Sequence, residues 1–265
     1  MRLVSIASGS SGNCIYIGTD TTHILVDAGI STKRIEEGLA GLGIKGSELS
    51  GILVTHEHSD HVGGLRVFSK KHEIPIYTTR ETYEGILSSR SVGELPGGLH
   101  REIFPDGVFR IGDMTITPFS TCHDAANPCA FRVDAGGSSV AVVTDLGNYS
   151  QYTINHLLGL DAVLLEANHD VRMLETGPYP YYLKRRIMGN SGHLSNDCAG
   201  RLLGEILHDG FQKAILGHLS KENNYADLAY ETVRLEITEG ENAYRGTDFD
   251  IVVADRKEMS ETVYI

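Results

Sequence analysis

The sequence predicts an α/β fold. Short apolar runs that read as strands alternate with stretches that read as helices along all 265 residues. Five of the apolar runs end in a polar group or cluster: Asp27, the loop His56–His61, His123, Asp145 and His218. Strands stacked side by side bring their ends to one edge, so groups distant in sequence can meet there. A hydrophobic content of 41% and a charged content of 22% are ordinary for a globular protein. No linker, low-complexity stretch or repeat divides the chain, and one domain over 1–265 is expected.

Leu3–Ala7 and Cys14–Ile17 read as strands flanking Ser8-Gly9-Ser10-Ser11-Gly12-Asn13. Glycines free the backbone there; Ser10, Ser11 and Asn13 can meet a phosphate or hold a neighbouring loop, unless the stretch is a plain turn. His23–Val26 is a third strand ending at Asp27, a carboxylate costly to bury unless it bonds a nearby loop. Ile30–Leu42 reads as a helix capped by Ser31 or Thr32 and stopped by Gly41 and Gly43. Gly51–Thr55 is a strand, His61–His72 one helix, and Ile74–Thr78 another strand before a helix reaching about Ser89. Val92–Leu99, with glycines and Pro96, reads as a surface loop.

The β-type runs Arg101–Phe104, Val108–Ile111 and Met114–Phe119 come next. Ala130–Asp134 and Ser139–Val143 form a hairpin across Ala135-Gly136-Gly137-Ser138. Ile154–Leu158 is helical, and Ala162–Leu165 is a strand leading into Glu166-Ala167-Asn168-His169-Asp170. Helices over Tyr179–Met188, Asn196–His208 and Asp227–Ile237 and strands at Gln212–Leu216 and Phe249–Val253 complete the reading.

Composition narrows the function. The first ten residues lack the apolar length of a signal peptide, and no run approaches the roughly 18 apolar residues of a membrane span. Cys14, Cys122, Cys129 and Cys198 show no Cys-x-x-Cys pair, so free thiols in a reducing cytoplasm are expected. A net charge of −12 disfavours nucleic-acid binding through the bulk field, although bound divalent cations would offset part of it. A local basic patch is needed, and Lys184-Arg185-Arg186 supplies one beside Tyr179, Tyr181 and Tyr182. Cations there can neutralise phosphates and rings can stack on bases; otherwise it is a surface helix with tyrosines packed inward.

The chemistry concentrates in His56-Glu57-His58-Ser59-Asp60-His61. His56 and His58 lie two apart, on one face of an extended segment. Asp60 and His61 follow the turn. Imidazole and carboxylate suit Zn²⁺ or Mn²⁺, with Fe²⁺ also accepted, and one short loop needs distant partners to complete a shell. Two cations roughly 3.5–4 Å apart need a bridging carboxylate and about three ligands each. The natural division gives His56, His58 and His123 to one and Asp60, His61 and His218 to the other, with Asp145 bridging. A bridging hydroxide is then the expected nucleophile, and Asp27 the residue that orients the loop from behind. His23, His72, His100, His156 and His208 lie away from these clusters and are expected to be surface or satisfied core residues.

His56-x-His58-x-Asp60-His61, followed in order by His123, Asp145 and His218, resembles the metallo-β-lactamase fold. The resemblance implies an αββα sandwich with the metal site on one edge. His58 stands where redox members carry an acidic residue, and Asp145 where class B lactamases carry cysteine, which favours hydrolysis of something other than a lactam. Glu166-Ala167 and Gly192-His193-Leu194-Ser195 are similar to motifs of the tRNase Z group. That similarity implies that Glu166 polarises His193 as general acid toward a departing O3′ or O5′. Asn168-His169 departs from that group's pattern and leaves the role of His169 open.

Ser8–Asn13 and Gly217-His218-Leu219-Ser220-Lys221-Glu222-Asn223-Asn224 extend the likeness to the YycJ (WalJ) family. This implies 5′-to-3′ exonuclease action on double-stranded DNA. About 73 positions separate Asp145 from His218, too few for a β-CASP cap. Two other readings stay open. The same fold could hydrolyse a small ester, thioester or cyclic phosphodiester, or the chain could be a metal-stabilised scaffold without turnover.

Overall fold

In the computed structural model, which describes residues 1–89 and 92–265, two seven-stranded sheets pack face to face. The first holds β1 (Arg2–Ala7), β2 (Cys14–Gly18), β3 (His23–Val26), β4 (Gly51–Leu53), β5 (Ile76–Thr78) and β6 (His100–Glu102) in chain order. The second holds β7 (Phe109–Ile111), β8 (Met114–Ser120), β9 (Cys129–Ala135), β10 (Ser138–Val143), β11 (Ala162–Glu166), β12 (Lys213–Gly217) and β13 (Asp250–Val253), also in order. A short β14 (Val263–Tyr264) closes the first sheet beside β1.

Both sheets follow one plan. Each begins with antiparallel neighbours and continues parallel, from β3 to β6 and from β10 to β13. In a parallel run all carboxyl ends lie on one edge, which is where ligands bind in α/β sheets. β1 and β8 are each antiparallel to a strand that is itself antiparallel to the parallel run, so they end on the same edge as β3 and β10.

The sequence pattern explains the layers. Along β2, Cys14 and Tyr16 face the helices while Ile15 and Ile17 face the opposing sheet. Along β11, Val163 and Leu165 face helices while Ala162 and Leu164 lie between the sheets. Burial on both faces is why these strands read as continuous apolar runs rather than alternating ones. Helices α1 (Thr32–Gly41), α3 (Leu65–His72) and α4 (Arg80–Ser88) share a core with the first sheet. On the second, α5 (Gln151–Leu157), α8 (Asn196–Ile206) and α9 (Ala226–Glu239) do the same.

Several expected boundaries move. Ser31 caps α1 through its hydroxyl, which accepts from Arg34 N at 3.4 Å. The single helix expected over 61–72 is two, α2 (Ser59–Val62) and α3, with Gly63-Gly64 between them. Gly64 passes so close to Ile30 that a Cβ would lie 1.9 Å from its carbonyl oxygen. Close approach, rather than a turn, requires that glycine. Elements that escaped the reading include a 3-10 turn at Gly46–Glu48, β14 and α6 (Val171–Thr176), whose cap Asp170 accepts from Met173 N at 2.7 Å. The helix expected at 179–188 is α7 (Tyr181–Ile187). The hairpin turn is Gly136-Gly137, with φ of 60° and 87°, the left-handed pair a two-residue turn requires. Among the described residues, no helix is long and apolar enough to cross a membrane.

Candidate active site

β4 delivers its loop into the gap at the sheet edge. There Asp27, fully buried, accepts from Thr55 N at 2.8 Å and Thr55 Oγ1 at 2.9 Å, and lies 2.7 Å from His61 Nδ1. The expectation that Asp27 bonds a neighbouring loop is met three times over, and these bonds fix the direction of the His61 ring. A second clamp comes from Gly29, where a Cβ would stand 1.6 Å from the Asp60 carbonyl oxygen. Only glycine lets the chain after β3 lie against the metal loop.

Asp27, Asp145 and His218 share an unusual backbone. Their φ values are 63°, 57° and 54°, the left-handed region that non-glycine residues seldom occupy. Each follows closely on a strand, β3, β10 or β12, and the sharp turn aims its side chain across the edge. Strained backbone of this kind concentrates at functional sites, and no signal in the residue types revealed it.

The side chains converge. His56 Nε2 lies 3.0 Å from His58 Nδ1, and His123 Nε2 lies 3.3 Å from the same atom. Asp145 Oδ2 lies 3.0 Å from His61 Nε2 and its Oδ1 lies 3.5 Å from His123 Nε2. Asp60 Oδ2 is 3.5 Å from both His61 Nε2 and His218 Nε2. Ligand atoms of His56, His58 and His123 lie within 4.8 Å of one another, as do those of Asp60, His61 and His218, and those of His56, His61 and Asp145. Asp145 therefore touches both histidine groups. Beyond these imidazole–carboxylate contacts, buried Asp145 Oδ2 and His218 Nε2 make no well-formed hydrogen bond, a costly state for two polar atoms unless a cation meets them. The donor set fits divalent metal.

Electrostatics points the same way. Burial would raise the Asp145 carboxyl, but the His218 and His61 imidazoles outweigh it and hold it well below the usual carboxylate range. Burial likewise opposes charge on His218, yet Asp145, Asp60 and Glu166 push it up to about 10. His56 is driven well below its ordinary value by burial and by His61. A divalent ion bound among these groups would displace protons from the imidazoles.

Glu166 ends β11 inside this cluster, and His193 lies at the turn before α8. Glu166 Oε1 lies 2.7 Å from His193 Nδ1 and 3.0 Å from His218 Nδ1. Its Oε2 accepts from Leu146 N at 2.8 Å and Leu194 N at 3.2 Å. Burial would raise this carboxyl, but His193 and His218 bring it down to about 2. His193 in turn is held above its ordinary value: burial lowers it, and Glu166 and Asp145 more than compensate. One carboxylate thus orients His193 and His218 together, a double contact the sequence did not disclose.

Within the Ser8–Asn13 loop, Asn13 is fully buried. Its backbone N donates to Asp60 O at 2.7 Å, and its Nδ2 lies 3.0 Å from His61 Nε2. Of the two roles open to the loop, Asn13 takes that of holding its neighbour. Ser8, singled out only as part of a motif, does the same: its Oγ accepts from His218 N at 2.8 Å. Ser10 lines the cavity of about 190 Å³ over the ligand cluster, and Ser11 is exposed.

Arg186 lines that same cavity and is anchored by the Asp124 carboxylate. Arg185 stacks on the Tyr181 ring with its guanidinium 5.9 Å from the centroid. Lys184 Nζ donates to Glu175 O at 2.7 Å, so this ammonium is partly engaged. Tyr181 and Tyr182 are each 74% exposed, which excludes the inward-packed reading for those two rings. The five remaining histidines are satisfied elsewhere: His23 with Tyr16, His72 with Glu36, His100 against Tyr83, His156 against Phe119 and His208 with Leu160 O. Cys122 is exposed and outside the ligand groups, and Cys198 lies on α8.

Residues 22–219 match the model of the beta-lactamase superfamily domain. Exodeoxyribonuclease YycJ of Bacillus anthracis is 36% identical over 261 residues, covering 98% of this chain and 97% of the relative. Exodeoxyribonuclease WalJ of Streptococcus pneumoniae is 37% identical over 247 residues, 93% of this chain and 91% of its own. The Zn²⁺-bound PqqB of Methylobacterium extorquens superposes over the full length of both chains with a TM-score of 0.72 at 14% identity, a likeness of fold. A two-sheet sandwich with its histidines and carboxylates gathered on one edge, and near-complete coverage of both relatives, leave one assignment: the chain belongs to the metallo-β-lactamase superfamily and, within it, to the YycJ/WalJ family.

Proposed function

We propose that this chain is a metal-dependent phosphodiesterase, a 5′-to-3′ exonuclease on double-stranded DNA in the bacterial cytoplasm, acting as one unit without a β-CASP cap. The observation that carries the reading is the placement of the Glu166–His193 pair against the ligand cluster, with His193 Nδ1 3.5 Å from Asp145 Oδ1. A hydrolase of activated esters has no need of such an acid, whereas an alkoxide leaving from a phosphodiester does. The names of the two relatives agree with a deoxyribonuclease.

His56, His58 and His123 would hold one divalent cation, Asp60, His61 and His218 a second, with Asp145 shared; Zn²⁺ and Mn²⁺ suit the donors, and Fe²⁺ is compatible. When bound, the pair supplies Lewis acidity toward the phosphate and lowers the pKa of bound water. The chain's own residues do the rest. Asp27, Asn13 and Ser8 hold the ligand loops in register. Arg186, fixed by Asp124, sits where it can pair with a non-bridging phosphate oxygen, and Ser10 lies across the same cavity. Arg185, Tyr181 and Tyr182 extend this surface toward the flanking strand.

Water gives up a proton to solvent and adds to phosphorus, the P–O3′ bond breaks, and the His193 proton goes to the departing O3′. Glu166 stabilises the imidazolium before the transfer and keeps the ring facing the cluster. The test is duplex digestion with Mn²⁺ or Zn²⁺ by the wild type and by Asp60→Ala. The variant is expected to lose at least about a hundredfold in rate. Full activity in Asp60→Ala would overturn the site assignment.

A further inference from the structure

A second cavity, of about 440 Å³, is lined by His193 together with residues outside the ligand cluster. His193 is the one residue among those lining the first cavity that also lines the second, so the two spaces adjoin at His193. The volume falls in the range of small-molecule sites, roughly 300–1,000 Å³. Its wall is mixed. Val171 and Met188 are apolar; Asp197 is a carboxylate; Arg201 is a cation, held by Cys198 Sγ at 3.2 Å and Glu236 at 3.3 Å.

His169 completes that wall. It is 2% exposed, and its Nδ1 is buried with no hydrogen-bond partner. The residue is pinned through its backbone, which bridges to Ser195 and accepts from Asn196 N at 2.9 Å. Burial pushes its imidazole down to about 4, so it stands neutral at physiological pH, with unspent hydrogen-bonding capacity at a cavity wall. An unsatisfied buried nitrogen is costly, and a structural role alone does not explain it.

We propose that this cavity is the subsite for the terminal deoxynucleotide whose O3′ departs, with His169 and Met188 against the base and Arg201 toward its 5′-phosphate. The proposal rests on the function argued above. A group bonded to the oxygen that His193 protonates must lie within reach of His193, and the cavity begins there. A nucleotide presents an aromatic face, donor and acceptor edges and an anion, the complements of an apolar pair, a neutral imidazole with a carboxylate, and a guanidinium. The sites divide the labour: cations and Arg186 take the scissile phosphate, and the second cavity takes the product.

Equilibrium dialysis of thymidine 5′-monophosphate against the Mn²⁺-loaded full chain tests this. Saturable binding at one equivalent is expected, weakened at least tenfold in Arg201→Ala and in Val171→Trp, which fills the cavity from its rim. Both variants should melt within a few degrees of the wild type. Asp60→Ala is expected to bind the nucleotide within about threefold of wild type, because the subsite does not use the ligand cluster. Binding lost in Asp60→Ala but kept in Arg201→Ala and Val171→Trp would put the nucleotide on the cations and overturn the proposal, as would no binding at all. Nucleotide binding as expected, in a wild type that leaves duplex DNA intact, would instead contradict the exonuclease reading.

Discussion

At the scale of single residues, His193 and Glu166 separate this site from a generic metal hydrolase. Loss of a general acid typically costs about 10²–10⁴ in rate. His193→Ala is expected to fall in that range on duplex DNA but much less on bis-p-nitrophenyl phosphate, whose nitrophenolate leaves without a proton. Equal losses on both substrates would assign His193 to the ligand shell, a role its place 3.5 Å from Asp145 makes geometrically open. Much of the site was legible at this scale because imidazoles two residues apart, followed by Asp60-His61, have few other uses. Asn13 was not. An amide beside serines and glycines reads as a phosphate contact, and only its complete burial against Asp60 reveals it as a positioning residue. The left-handed backbone at Asp27, Asp145 and His218 was equally hidden, since tertiary contacts impose it against local preference.

At the scale of elements, α7 is the proposed nucleic-acid contact. It presents Arg185 and Arg186 beside two exposed tyrosines, with Arg186 reaching the cavity over the ligand cluster. If both arginines neutralise backbone phosphates, Arg185→Ala and Arg186→Ala should each reduce the slope of log Kd against log salt by about one. An unchanged slope in both would remove α7 from the interface. Strand positions were readable from apolar runs, because both faces of the central strands are buried. Helix limits were less so. The break between α2 and α3 follows from the approach of Gly64 to Ile30, a contact between segments more than thirty residues apart. The six-residue α6 is too short to show a helical period.

At the scale of the whole molecule, each half of the chain makes a sheet of antiparallel neighbours followed by a parallel ladder, and the candidate ligands come from both. Asp27 and the His56–His61 loop belong to the first half, and His123, Asp145, Glu166, His193 and His218 to the second. The two halves share a plan without a repeat that the residues reveal, which is why that correspondence was not legible. Metal at this shared edge should stabilise the pairing of the sheets. A ligand present at a hundred times its Kd adds about 2.7 kcal/mol. Chelation is accordingly expected to lower the melting temperature by roughly 5–10 °C in a chain of this size, with recovery on adding Mn²⁺ or Zn²⁺. No shift on chelation would mean that the edge is held by protein contacts alone.

The most direct test of the central claim is a time course on DNA duplexes labelled at the 5′ or the 3′ end, with Mn²⁺ and product lengths resolved on a gel. Release of the 5′ label as a mononucleotide from the first time point, with 3′-labelled strands shortening stepwise, is the predicted result. Internal fragments, initial release of the 3′ label, or an intact duplex under conditions that hydrolyse bis-p-nitrophenyl phosphate would contradict it.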